Sequence, residues 1–314
     1  MNRLSLAEVN ALRRINKSLS RYPSDDDERF VDGLIYPTIR PNFHITPGEK
    51  VFTVGSCFAR NMEKQLGEYD VPTLRYVPPE GDSLSQRGST VFNEYNPGTI
   101  ARRLLSAIHH DAEYEKGIIK EGTGYSDLYI TGSQPCALEV VQKRRALMGD
   151  IYKELPGCDL LIITLGLIEA WYDRETGTYL NRAPASGAMR DPEGVGQRFE
   201  MHVLNVQDCL DLLVPAFESV FAAGLKRIML TVSPVPLQFS FGGGDPVVAN
   251  SYSKAVLRCV AEKLVTDFER VDYFPSYEMV TTYAGNPFIT DNVHVKPEVV
   301  ARVTRYMLDC YQKA

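Results

Sequence analysis

Two side chains able to act as nucleophiles stand next to each other early in the chain. The run KVFTVGSCFARNM (50–62) places Ser56 and Cys57 directly after Gly55 and directly before a helix-like stretch that begins at Phe58. A thiol or hydroxyl attacks well only when a base takes its proton or its surroundings favour the anion. At a strand-to-helix junction, the first-turn N–H groups and the positive end of the helix dipole would favour a Cys57 thiolate. The expectation is therefore a Cys57 pKa below that of a free thiol, with Gly55 permitting the tight turn. The plainer alternative makes Cys57 a small buried apolar group and Ser56 the helix N-cap.

A base and an orienting acid are found at the far end. FITDNVHVKPEVV (288–300) sets Asp291 and His294 three residues apart, just before the final helical run. An imidazole there could take the nucleophile's proton while the carboxylate orients its other nitrogen. Otherwise Asp291 caps a turn and His294 is an ordinary surface histidine. The other four histidines (44, 109, 110 and 202) read as lacking a comparable carboxylate, and His109-His110 ends a helical stretch, where a cation suits the dipole. A zinc site built from Cys57, His294 and Asp291 is the weaker use of the same groups, since their spacing matches no zinc signature.

Regular elements must bring these groups together. Four short apolar runs read as buried strands: 51–54, 159–165, 227–233 and 271–274. Helices are expected at 137–155, 204–223, 247–268 and 297–312, with Gly224 ending the second and Pro297 opening the fourth. This alternation implies a largely parallel sheet covered on both faces. DVPTLRY (70–76) is a further short strand. Residues 77–97, 171–196 and 233–246 are loop-rich, the second beginning as a hairpin that turns near Glu175-Thr176-Gly177. Loops that follow strand C-termini form the ligand-facing rim of such a sheet. Ser5 and Glu8 form a capping box at the head of an N-terminal helix, and the chain divides into a helical extension (1–40) and one α/β domain (41–314).

Composition narrows the partners. The chain has 314 residues, 44% hydrophobic and 24% charged, enough to bury a full core without staples. A net charge of -6 with no basic run argues against a nucleic-acid surface, and Arg102-Arg103 and Lys143-Arg144-Arg145 read as solvated helix faces. Six scattered cysteines without a CxxC pair suit reduced thiols in a cytoplasmic setting. The longest apolar run, LLIITLGLI (160–168), is too short to span a bilayer, so no membrane partner is expected.

GSCFARN (55–61), FNEYNPGTI (92–100), TLGLIEAWYD (164–173), SPVP (233–236) and DNVH (291–294) together resemble the GSCFA-domain family, a branch of the SGNH/GDSL hydrolase superfamily. The resemblance implies a three-layer α/β/α sandwich with a mostly parallel, flavodoxin-like sheet, and acyl-ester hydrolysis or acyl transfer without metal or cofactor. In that superfamily the nucleophile stands two residues after the first-block glycine, which here is Cys57; Ser56 would assist the oxyanion hole, and Ser56 as nucleophile is the literal alternative. The third block's asparagine falls on Ile168 and its aspartate on Glu169, so the side-chain oxyanion donor is missing. Gly166, through its N–H, and Asn93 are the substitutes, Glu169 and Trp171 line the pocket (Trp171 reads equally as a core anchor), and Gly88 takes the place of the second-block glycine.

Three functions fit these residues. One is an esterase that removes acyl groups from a glycan or small metabolite. Another is an acyltransferase using the same thiol and an acyl-CoA donor, whose phosphates Arg75, Arg87 and Arg190 could grip. The third is a non-enzymatic domain that binds a carbohydrate or a protein partner.

Overall fold

The alternating runs pack as a three-layer α/β/α sandwich in the computed structural model, which describes residues 3–15, 20–82, 84–109, 116–184 and 195–313. Strands β1 (Val51–Gly55), β2 (Leu160–Leu165), β3 (Arg227–Val232) and β4 (Val271–Tyr273) form a wholly parallel sheet in the order β4-β3-β2-β1. Val51 pairs with Leu160 and Leu160 with Arg227, so these three strands start level. Their C-terminal ends therefore open on one rim.

The period-two pattern of the strands sorts their side chains onto two faces. Phe52, Val54, Leu161, Ile163, Leu165, Ile228, Leu230 and Val232 pack on one side. Helices α2 (Pro97–His109), α3 (Leu138–Tyr152), α4 (Val206–Ala222) and α5 (Pro246–Asp267) cover that side. Val51, Leu160, Ile162 and Met229 face the opposite side, under α1 (Cys57–Glu63), α6 (Ser276–Thr281) and α7 (Pro297–Tyr311). Each fully buried Val, Leu or Ile contributes about 1.5–3 kcal/mol, against about 0–1 kcal/mol for an exposed ion pair. The two apolar faces hold the sandwich.

Local chemistry sets the element ends. Asn205 and Asp208 form a reciprocal capping box for α4. At the other end of that helix, Gly224 turns the chain at φ +117° and donates its N–H to the Phe221 carbonyl. Ser5 and Glu8 cap each other as expected, although no residue of the helix Leu6–Ile15 is buried. The segment after it docks on the domain: Leu34 is in the core and Arg302 binds the Val31 and Asp32 carbonyls.

Four expectations change. DVPTLRY is not a strand: only Asp70 bridges to Lys50, and Pro72–Arg75 forms a 3-10 turn. Pro72 has no N–H for a ladder, and the buried Thr73 hydroxyl donates to Glu63. The hairpin Glu169–Asp173 with Thr178–Leu180 gains a third strand, Phe199–Val203, beyond the expected loop and where no element was expected. In that strand His202 does have a carboxylate partner, Glu200 at 3.0 Å. Finally, two of the basic residues on α3 are not solvated. Arg144 grips Asp82 and Arg145 grips Asp127, each through two hydrogen bonds, in buried pairs that tie a loop and the strand Gly124–Asp127 to the helix. All six cysteines are free thiols, and among the described residues no helix is long and apolar enough to cross a membrane.

Gly55, with φ +146°, leaves no room in the sheet for a side chain. A Cβ there would sit 1.9 Å from Thr164 Oγ1 and 2.6 Å from the Thr164 carbonyl oxygen. Gly55→Ala should cost about 3 kcal/mol or more, because backbone on the neighbouring strand has to move. Urea denaturation measures this; a loss below about 1 kcal/mol would show that the strand ends are not so tightly joined.

Candidate functional site

The turn after Gly55 carries both candidate nucleophiles, and they have different surroundings. Ser56 is buried and serves as N-cap of α1, accepting from the Phe58 N–H at 3.4 Å. Its Oγ also shares a hydrogen bond with Ser233 Oγ at 3.0 Å. Cys57 is the first residue of the helix and is only half-buried. The turn is anchored from beneath: Arg60 donates to Glu63 at 2.6 Å and to the Thr53 carbonyl at 2.7 Å. Thr53 and Thr73 add their hydroxyls to the same Glu63 carboxylate.

A cavity of about 990 Å³ opens at the strand rim, and Ser56, Cys57, Gly88, Asn93, Gly166, Glu169, Trp171 and His294 all line it. Asp291 belongs through His294, whose Nδ1 lies 2.6 Å from Asp291 Oδ2. Asp291 Oδ1 accepts the Val293 and His294 N–H groups at 2.8 and 2.9 Å. These bonds hold the Asp291 pKa down at about 2, so the carboxylate is ionised throughout the neutral range. No hydrogen bond joins the Cys57 thiol to the imidazole in this state; such bonds often tighten only around substrate.

The remaining residues take more specific parts. Asn93 bridges to Gly55 beside the turn, and its Nδ2 donates to the Tyr95 hydroxyl at 3.0 Å. Its buried Oδ1 has no partner. Gly166 packs against Tyr95, whose carbonyl a Cβ would meet at 2.5 Å. Ile168, at the asparagine position, is buried in the core. The Glu169 carboxylate accepts from Ser240 Oγ at 2.6 Å and from the Phe241 N–H at 2.7 Å, and so holds the glycine-rich loop over the cavity. Trp171 stands edge-on to Phe241 with ring centroids 5.3 Å apart, and its buried Nε1 has no partner. Gly88 lies on the cavity wall at φ +50°, inside the 3-10 segment Ser85–Phe92.

Arg75 takes no part, being paired with Asp70 and Glu154. Arg87 does line the cavity, bonded to the Thr131 carbonyl, while Arg190 lies outside the described residues.

The expected depression of the Cys57 pKa is reversed. Burial pushes the thiol up, and the N–H groups of Cys57 and Phe58 and the charge of Lys254 only partly offset it. A helix of seven residues supplies a weak dipole, and desolvating a thiolate outweighs it. Sequence reading also missed two groups. Ser233 stands in the SPVP run but gave no sign that it would meet Ser56. Lys254 sits on the buried side of α5, where a helical lysine normally reads as solvated.

The sequence profile of the GSCFA family matches residues 50–306. No curated protein matches the chain. Among solved structures, a catalytic mutant of Axe2, an acetylxylan esterase from Geobacillus stearothermophilus, aligns over 87% of this chain and 100% of its own. It is 15% identical, with a TM-score of 0.35, too distant to bear on reaction or substrate.

Glu169→Gln tests the loop anchor. A neutral amide keeps one acceptor, so the Phe241 amide should exchange with solvent several-fold faster, as roughly 1.5–3 kcal/mol of charge-assisted bonding weakens. Hydrogen-exchange mass spectrometry over 233–246 reads this; unchanged protection would mean that Glu169 does not hold the loop.

Proposed function

Because the chain belongs to the GSCFA family, we propose that it is an acyl-ester hydrolase with Cys57 as nucleophile and His294, oriented by Asp291, as acid and base. One observation carries the reading: a free, half-buried thiol at a strand end lines the same cavity as an imidazole whose Nδ1 is held by an ionised carboxylate. Ser56 is less suited, since its hydroxyl caps α1 and bonds Ser233 in a buried position.

The reaction runs in two steps. His294 takes the thiol proton as Cys57 Sγ adds to the ester carbonyl, and returns it to the leaving alkoxide as the tetrahedral intermediate collapses to an acyl-thioester. Water, deprotonated by His294, then frees the acid and restores the thiol. The oxyanion needs donors. Asn93 can provide one: its Nδ2 spends one N–H on the Tyr95 hydroxyl and has a second N–H to give, beside Gly55.

A polar acyl ester, such as an acylated glycan or small metabolite, suits the walls. Gln86, Ser89 and Gln238 offer hydrogen-bonding groups, Trp171 offers an unpartnered N–H, and Phe239 and Phe241 offer apolar faces. Acyl-CoA is less well served, because Arg75 and Arg87 are already engaged. The thiol chemistry is the same for transfer, so product analysis with and without an acceptor alcohol separates hydrolysis from transfer.

Kinetics on an alkyl ester and a matched thioester grade the roles. Cys57→Ala should abolish turnover, whereas Ser56→Ala should retain most of it; the reverse order would make Ser56 the nucleophile. His294→Ala should lose about 10²–10⁴-fold on the alkyl ester and much less on the thioester, whose leaving group needs little protonation. Asp291→Asn should cost less than His294→Ala. Equal losses on both substrates would remove the leaving-group role from His294.

A further inference from the structure

Ser56 and Ser233 meet across the rim. Ser56 follows β1 and Ser233 follows β3, so the 3.0 Å hydrogen bond between their Oγ atoms spans the end of β2, which lies between those strands. The Ser233 N–H donates at 2.8 Å to the carbonyl of Leu165, the last residue of β2, and this holds Ser233 in place. Both serines are buried, at 3% and 0% exposure, and both line the cavity that Cys57 and His294 line. Cys57 is the next residue after Ser56.

A count of protons at these two oxygens comes out uneven. Each hydroxyl has one proton to give and two lone pairs to receive with. The bond between the oxygens spends one proton. Every other hydrogen bond they make is accepted: Ser56 Oγ receives the Phe58 N–H at 3.4 Å, and Ser233 Oγ receives the Val235 N–H at 3.3 Å. Whichever serine donates to the other, one O–H of the pair has no acceptor among the described residues. Buried donors in folded proteins are almost always matched, so a spare hydroxyl on a cavity wall points to an oxygen that a ligand brings. When Ser233 is the donor, the spare proton is on Ser56, and both Ser56 lone pairs are taken. That hydroxyl can give a hydrogen bond but has no lone pair left for attack.

Resting on the reading of Cys57 as nucleophile, we propose that Ser56 and Ser233 act as one unit, a side-chain donor to the oxyanion in a site where Ile168 takes the asparagine position. As Cys57 Sγ adds to the ester carbonyl, the S–C bond forms and the carbonyl π pair moves onto oxygen. The spare O–H of the pair donates to that oxygen and stays intact, so neither serine loses its proton. The family resemblance gives Ser56 an assisting part and Ser233 none; the shared hydrogen bond brings Ser233 in.

Shared duty makes the two serines non-additive. After Ser56→Ala or Ser233→Ala one hydroxyl remains on the cavity wall, released from its bond to the other and free to donate. After both substitutions none remains. This gives a cause for the small loss expected of Ser56→Ala alone. Stability follows a different rule: Ser56 caps α1 through its own Oγ, so that cap is lost with Ser56→Ala whatever stands at 233.

An aldehyde tests this without turnover, because its hemithioacetal with Cys57 puts an oxygen where the ester's oxyanion would form. In the full chain, the protection that butanal gives Cys57 against iodoacetamide, followed by mass spectrometry, yields the aldehyde's dissociation constant. The alkylation rate without butanal reports the thiol itself. Each single variant should weaken butanal about threefold or less, and Ser56→Ala/Ser233→Ala about tenfold or more, with alkylation in butanal's absence within about twofold of wild type. On the alkyl ester, kcat of the double variant should fall about 10²–10³-fold with KM little changed, as for an interaction made only in the transition state. Should that variant not fold, Ser56→Gly/Ser233→Ala reads the same effect with a residue that still suits an N-cap. Full butanal affinity in a folded double variant, or a loss of about tenfold in either single variant, overturns the proposal and leaves Cys57 as nucleophile. A wild type that butanal does not protect removes the Cys57 reading, and the donor role with it. Protection that depends on the pair in a chain that cleaves no ester would count against the hydrolase reading alone.

Discussion

The buried pair of Arg60 and Glu63 sits beneath the turn between β1 and α1, and the rim chemistry is referred to that turn. Arg60 reaches back to the Thr53 carbonyl, while Thr53 and Thr73 both donate to Glu63. One carboxylate therefore ties together the first strand, the first helix and the segment beyond it. Removing one partner of a buried ion pair typically costs about 3–5 kcal/mol, because the other charge is left buried and unpaired. Here both charges belong to one short helix, so the network fixes the rotation of α1 and with it the side to which Cys57 points. Gly55 supplies the complementary constraint from above, since there is no space for a side chain against Thr164.

Given a fixed turn, the cavity is assembled by polar side chains that clamp backbone. Glu169 holds Ser240 and Phe241, Ser253 receives the Ile168 N–H, and Lys254 holds the carbonyls of Gly166 and Val235. Each clamp joins a loop from one strand end to a neighbouring element. This is why a rim made of long loops can still be shaped: its backbone donors and acceptors are met by side chains instead of by a ladder. It also explains why the cavity contains buried charge near an apolar sheet, where an unmatched polar group would be costly.

The thiol shows two effects of opposite sign. First-turn N–H groups and a nearby ammonium favour the anion, and desolvation disfavours it; desolvation is the larger. A helix of seven residues cannot supply the field of a long one, and its effect fades within the first turn. A thiolate at Cys57 would therefore need more than its place at a helix start.

The sequence by itself determined the layered architecture, because strand and helix periodicity are local and survive in any packing. The runs around 51–54, 159–165, 227–233 and 271–274 became the four parallel strands. It also singled out Cys57, Asp291 and His294 as candidates, since a thiol after Gly55-Ser56 and a carboxylate three residues before a histidine are legible as short motifs; that Cys57 and His294 line one cavity is a matter of the fold. The tertiary structure decided what depends on contacts distant in sequence. Pro72 and the Thr73–Glu63 bond made a 3-10 turn of a strand-like run. Arg144 and Arg145 turned inward because Asp82 and Asp127 wait there. Lys254 and Ser233 gave no local sign, because burial of a lysine or pairing of two serines depends on which backbone groups a fold leaves to be satisfied. The direction of the Cys57 pKa shift was decided in the same way: desolvation depends on how the whole cavity closes around the thiol, and no stretch of sequence carries that quantity.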